Sequence, residues 1–141
     1  MLERMEVIRM LREALTDERT AIEFYGQMMT LAPNYESFLA FALARRDEQR
    51  HAFMIENLLE RLTGRRPEPD IVSPPVITNF REGVETAIAD EREAAAMYAE
   101  IIEMARTRLV REVITPIRID ELLHAQLFEG LLRFDLTGPP A

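Results

Sequence analysis

Apolar residues return at alternating steps of three and four through Ile8, Leu11, Leu15, Ile22, Tyr25 and Met29, the spacing that lays one apolar stripe along an amphipathic helix. A second stripe runs through Phe41, Ala44, Ile55, Leu58 and Leu62, and a third through Val84, Ile88, Ala95, Tyr98, Ile102 and Ala105. The fourth takes in Ile114, Ile117, Phe128 and Leu131. Each stripe is broken where another apolar residue is due: by Glu18, by Glu48 and His51, by Glu91, and by Glu121 and His124. The pattern predicts four helices whose inward faces carry carboxylates and imidazoles.

Boundary signals agree with four helices. Asn34 is a plausible N-cap for the second and Gly64 its end, Asn79 with Glu82 opens the third, and Gly138-Pro139-Pro140 closes the fourth. Pro116 allows either a helix capped by Thr115 or one that starts near Arg108 and bends. The apolar run Leu109, Val110, Val113, Ile114 favours the bend. Residues 64–78 hold Pro67, Pro69, Pro74 and Pro75 and cannot be a helix interior. Helix connections in bundles are usually about 2–8 residues, so this stretch reads as a crossover along the bundle that leaves helices 2 and 3 parallel. A chain of 141 residues fits one domain, 1–141, made of a first repeat (about 3–63), the crossover (about 64–78) and a second repeat (about 79–136).

The repeat is visible in letters. DERTAIEFY (17–25) lies over DEREAAAMY (90–98), and DEQRHAFMIENLL (47–59) over DELLHAQLFEGLL (120–132), with an offset of 73 throughout. Two repeats make a four-helix bundle with a pseudo-twofold axis, and a site on that axis draws matching groups from both halves.

On a helix, residues three apart point the same way, so Glu48 with His51 and Glu121 with His124 can each offer an oxygen and a nitrogen to one ion. Glu18 and Glu91 complete the set of one Glu from each of two helices and Glu-x-x-His from each of the others, the arrangement of dinuclear carboxylate bundles. One such motif arises easily by chance. Four carboxylates buried without cations, however, would cost several kcal/mol each or be forced to protonate. Two ions per chain are therefore expected, iron by ligand hardness, with manganese or a mixed iron and manganese pair also suited and zinc able to bind in vitro. Two such ions, about 3.5–4 Å apart, suit two-electron reduction of peroxide or dioxygen. Hydrolysis is less well served, because no separate acid, base or substrate motif stands beside them. Tyr25 and Tyr98 can donate hydrogen bonds to ligand carboxylates, and Asp47 and Asp120 can accept the free imidazole N–H of the histidine on the facing helix. The alternatives are core packing for the tyrosines and solvated helix surface for the aspartates.

Composition removes other chemistries. The chain has no cysteine, which excludes disulfides, thiolate zinc sites, iron–sulfur clusters and a fused rubredoxin-type iron centre. A net charge of −8 argues against nucleic acid as a partner. No apolar run approaches the ~18 residues of a membrane span, and a first segment charged at Glu3, Arg4 and Glu6 is no export signal, so a cytoplasmic location is expected.

At these residues the chain resembles the rubrerythrin branch of the ferritin-like superfamily, over essentially all four helices. The resemblance implies an all-α ferritin-like four-helix bundle with one long crossover between helices 2 and 3, and a non-haem di-iron centre that reduces peroxide or oxygen. It also implies dimerisation and an electron donor. It carries Glu18, Glu48, His51, Glu91, Glu121 and His124 as ligands. The chain departs from it in two ways. Peroxide-reducing members have a further glutamate three residues after the third-helix ligand, where this chain has Ala94, so the resemblance does not carry over their redox-driven ligand exchange. They usually carry a rubredoxin domain too, so electrons here must come from a separate protein. The symmetric ligand set equally resembles bacterioferritin, which makes an iron-binding or storage protein with a ferroxidase centre the alternative. A chain ending after helix 4, without a fifth, speaks against a storage shell. A metal-free helical module that binds a partner is the third reading.

Helix 4 carries Ile119, Leu123, Leu127 and Phe134 on the side away from its ligands, where helix 2 has Arg46, Arg50, Asn57 and Arg61 beside Met54. That second apolar face predicts a homodimer, unless the crossover covers it.

Overall fold

The computed structural model describes residues 2–68 and 71–140. Met1, Pro69, Asp70 and Ala141, which fall within the sequence-based limits, lie outside the described residues. The helices are α1 (Leu2–Leu31), α2 (Tyr35–Thr63), α3 (Phe80–Met104) and α4 (Arg108–Leu131), and no strand occurs among the described residues. The fold is an all-α four-helix bundle.

Helix α1 packs on α2 and α3, and α4 packs on α3 and α2, so α1/α4 and α2/α3 are the diagonal pairs. Side-chain pairings give the directions. Tyr98 meets Glu18 while Tyr25 meets Glu91, and His51 meets Asp120 while His124 meets Asp47. The numbers run oppositely in both sets, so α1 opposes α3 and α2 opposes α4. With short turns between α1 and α2 and between α3 and α4, helices α2 and α3 run parallel, so the end of α2 and the start of α3 lie at opposite ends of the bundle.

Caps fix the helix starts. The side chains of Asn34, Asn79 and Thr107 accept from the backbone N–H of Ser37, Glu82 and Val110, and Gly64 ends α2 at φ 77°, a left-handed conformation suited to glycine. Losing the Asn34 cap in Asn34→Ala should cost about 1 kcal/mol. In a chain of this size that lowers the thermal midpoint by about 3–4 °C, measurable by calorimetry. Helix α4 runs unbroken from Arg108 through Pro116, and the hydroxyl of Thr115 bonds Arg111 O at 2.7 Å on the turn before. It stops at Leu131, earlier than the Gly138-Pro139-Pro140 signal suggests. Tight turns through Leu132, Arg133 and Phe134 follow, and Leu136 is buried again in the core. Phe134 therefore lies past the end of α4 rather than on its outer face.

Two apolar clusters fill the bundle. One is mainly aliphatic, built around Leu11, Leu15, Ile55, Leu59, Ile101 and Ile114. The other is aromatic: Phe41 stacks on Phe128 with centroids 4.4 Å apart, and Tyr25 meets both edge-on at 5.3 and 5.4 Å. Between the clusters, on every helix, come the charged residues that interrupt the stripes. The stripes are wider than single lines of residues: Val7, Phe24 and Met28 are buried beside them, while Ile8, Ile22 and Met29 sit at their edge. On the outer side of α4, Ile119, Leu123 and Leu127 are 50, 55 and 41% exposed. Among the described residues, no helix is long and apolar enough to cross a membrane.

Candidate metal centre

Glu18, Glu48, His51, Glu91, Glu121 and His124 meet at mid-bundle, none more than 4% exposed. They form two overlapping groups, Glu18, Glu48, His51, Glu121 and Glu48, Glu91, Glu121, His124, each able to bring one donor atom per residue within 4.8 Å of the others. Glu48 and Glu121 belong to both. His51 Nδ1 lies 3.0 Å from Glu121, 3.5 Å from Glu48 and 3.6 Å from Glu18. His124 Nδ1 lies 3.2 Å from Glu48, 3.5 Å from Glu91 and 3.8 Å from Glu121.

Closeness here is not hydrogen bonding. Both Nδ1 atoms and one oxygen of each of the four glutamates are fully buried without a hydrogen-bond partner. In a folded core such orphans cost about 1–3 kcal/mol each, more when charged. Six of them converging on one space fit a pair of cations, and the donor set of four carboxylates and two imidazoles suits iron or manganese. Without cations the site must balance itself with protons. Burial, then the neighbouring carboxylates, push Glu48 well above the usual carboxylate range, and burial followed by Glu18 does the same for Glu121. Burial opposes charge on His51, but Glu121 and Glu18 outweigh it and raise the imidazole to about 11. In the same way Glu91 and Asp47 overcome burial and raise His124 to about 9. Burial works against the Glu18 charge, yet His51, Glu48 and Tyr98 hold its carboxyl below the ordinary value.

Around the six residues each half supports the other. Tyr98 donates to Glu18 at 2.6 Å and Tyr25 donates to Glu91. Burial, with those carboxylates beside them, lifts both phenols well above their usual range, so they stay protonated donors. His51 Nε2 lies 2.7 Å from Asp120 and His124 Nε2 lies 2.8 Å from Asp47. Each aspartate thus holds Nε2 of the facing helix and turns Nδ1 inward. Sequence reasoning placed Arg50 only on an outer surface. Its guanidinium in fact bonds Asp47 at 3.0 Å and Asp120 at 2.9 Å, tying together the two aspartates behind the two imidazoles. The signal was available one turn away, because Arg50 lies three residues after Asp47. Its counterpart in the second repeat is Leu123, so the clasp is built from one side only.

On the opposite side, between α1 and α3, a cleft of about 270 Å³ reaches the centre. Glu18, Glu48, Glu91 and Glu121 lie along it, with Ala21 and Ala94 beside them and Pro75 of the crossover at its edge. Glu13, Asp17, Asp90 and Glu93 line its outer part, where their side chains reach solvent. Although Asp17 is exposed in part, desolvation and then Glu13, Glu18, Glu93 and Asp90 raise it to about 6. The sequence shows these acids but does not say that they share one opening.

A family model described as Rubrerythrin matches residues 9–132. The uncharacterized protein YhjR of Bacillus subtilis (strain 168) is 30% identical over 122 residues, covering 86% of this chain and 83% of YhjR. Among solved structures, a conserved hypothetical protein from Mycobacterium tuberculosis, rv2844, superposes with a TM-score of 0.79 at 18% identity over 98% of this chain and 99% of that one. A two-domain protein with DJ-1/ThiJ/PfpI-like and ferritin-like domains from Anabaena variabilis gives 0.74 at 19% identity over 92% of this chain, which spans only 36% of that longer protein. At these identities the two structures speak for the fold.

Proposed function

The chain belongs to the rubrerythrin family, and from that premise we propose that it is a di-iron carboxylate oxidoreductase that reduces peroxide or dioxygen. The observation that carries the reading is the overlap of the two donor groups in Glu48 and Glu121: Glu18 and His51 with these two carboxylates would hold one ion, and Glu91 and His124 with the same two would hold the other. A ferrous pair held there would supply two electrons, enough to take hydrogen peroxide and two protons to two waters, and a separate electron-donor protein would have to return them. The remaining side chains organise this chemistry. Tyr25 and Tyr98 fix the terminal glutamates, and Asp47 and Asp120 set the tautomer that leaves each Nδ1 lone pair facing inward. Ala94 matches Ala21 of the first repeat, so the six donors are symmetric, a feature that also favours the storage alternative with a ferroxidase centre.

The test is anaerobic ferrous loading of the metal-free chain, elemental analysis, and stopped-flow mixing with peroxide and then with oxygen. Two irons per chain and a fast near-ultraviolet change with peroxide support the oxidoreductase. Continued uptake far beyond two irons over repeated oxidations would favour storage, and two irons that never oxidise would defeat both.

The proposal includes a homodimer on the outer side of α4, supported by the exposure of Ile119, Leu123 and Leu127, with Phe134, 44% exposed, just past the helix end. That face lies away from the α1/α3 cleft, which such a dimer would leave open. Light scattering at micromolar concentration should give twice the 16.3 kDa chain mass, and Leu123→Glu with Leu127→Glu should return it to the monomer.

A further inference from the structure

We infer that the α1/α3 cleft is the port through which divalent cations reach the centre, with Glu13, Asp17, Asp90 and Glu93 drawing them in from solvent. This rests on the proposed metal centre and adds its route of supply.

Two separate observations meet in this cleft. One is the continuity of carboxylates: four with side chains open to solvent and four nine-tenths or more buried line the same space, with no Lys or Arg among its lining residues. A narrow opening of one charge sign, walled by low-dielectric protein, concentrates counter-ions and raises their arrival rate by roughly 10–1,000-fold. The other is the state of the inner carboxylates. Glu18 Oε2, Glu48 Oε1, Glu91 Oε2 and Glu121 Oε1 are buried and unpartnered, so an arriving cation finds donors waiting at the end of the path. The path is kept clear by Ala21 and Ala94, the residues three after Glu18 and Glu91, whose single methyl groups leave the inner cleft open. On the other side of the centre the Arg50 guanidinium is tied to both Asp47 and Asp120, a clasp that spans the α2/α4 surface behind the two imidazoles. The open, acid-lined approach therefore lies on the α1/α3 side.

The test follows Co²⁺ uptake by the metal-free full-length chain, using the visible absorbance of the bound ion in a stopped-flow instrument. The mouth variant combines Glu13→Gln, Asp17→Asn, Asp90→Asn and Glu93→Gln. A charge-matched control combines Glu36→Gln, Glu85→Gln, Glu103→Gln and Glu112→Gln, which lie outside the cleft. Wild type should load fast at low salt and slow steeply as sodium chloride is raised. The mouth variant should load about tenfold more slowly with a flatter salt dependence, yet end at the same two ions per chain. A second variant, Ala94→Leu, which narrows the path without touching charge, should also slow loading and keep the final count. Equal rates in wild type and mouth variant, or equal slowing in the control, would overturn the port while leaving the two-ion centre standing. A wild type that binds no cobalt would remove the centre itself, and the port with it.

Discussion

Replacing Glu48 is expected to empty both positions of the centre, whereas replacing His51 should empty one. The difference follows from membership: Glu48 belongs to both donor groups, while His51 belongs only to the group with Glu18. Elemental analysis after loading and desalting should therefore fall from two ions per chain to none in Glu48→Gln and to one in His51→Ala. Glu121→Gln should behave like Glu48→Gln, and His124→Ala like His51→Ala. Without metal the same Glu48→Gln change has the opposite sign. It keeps the shape of the side chain but removes a carboxyl that burial and three other glutamates make costly to ionise. At pH 8 the metal-free variant should therefore melt no lower than metal-free wild type, while gaining little from added metal. A variant that loses metal-free stability by several degrees, yet still holds two ions, would show that Glu48 is a packing residue and not a bridge.

Metal loading is expected to release protons and to stabilise the fold more as pH rises. Below about pH 4.5 Glu48 and Glu121 are protonated folded or unfolded. Above it the unfolded chain ionises while the folded one keeps its protons, so stability falls as pH rises. His51 and His124 act in the same direction. Their contribution is complete below the ordinary imidazole value of 6.5 and is lost as pH climbs towards about 9 for His124 and about 11 for His51. Glu18, held low, works the other way, but only below its ordinary value of 4.5. The metal-free midpoint should accordingly drop between pH 5 and pH 9. Cations take the place of those protons, so affinity rises with pH and the gap between loaded and metal-free protein widens. At a hundredfold excess over Kd each ion adds about 2.7 kcal/mol, which for two ions moves the midpoint by about 10 °C or more. Calorimetric titration in buffers of different ionisation enthalpy should show protons released at pH 7, from His51 and His124 and from the raised carboxyls Glu48 and Glu121. Loading without proton release would contradict the protonated state of the empty site.

The fold was legible because its signals are local. Period, caps at Asn34 and Asn79, and the proline-rich stretch from Gly64 onward each act within a few residues, and the offset of 73 joined them into paired halves. The convergence of the six inward residues was equally legible, since charge on an apolar stripe has nowhere else to go. What the sequence hid depends on contacts between helices. Arg50 looked like surface charge because only the packing of α2 on α4 brings Asp120 beside Asp47. The cleft is not legible in the sequence because its acids come from two helices far apart in the chain. The end of α4 departs from its sequence signal for a different reason. Gly138 and the prolines after it are strong stop signals, but the chain had already turned at Leu132 so that Leu136 could return to the core.

The two ends of the bundle have drifted apart in chemistry: Phe41 and Phe128 stack at one, and their counterparts Ile114 and Ile55 occupy the other. The middle has not. There each tyrosine and each aspartate serves a partner in the opposite repeat, Tyr25 to Glu91, Tyr98 to Glu18, Asp47 to His124 and Asp120 to His51. A substitution in one repeat is therefore felt first by the other, and neither can be re-tooled alone. Such mutual custody gives a physical reason for the letters of 17–25 and 90–98 to stay in step while those of the flanking cores do not.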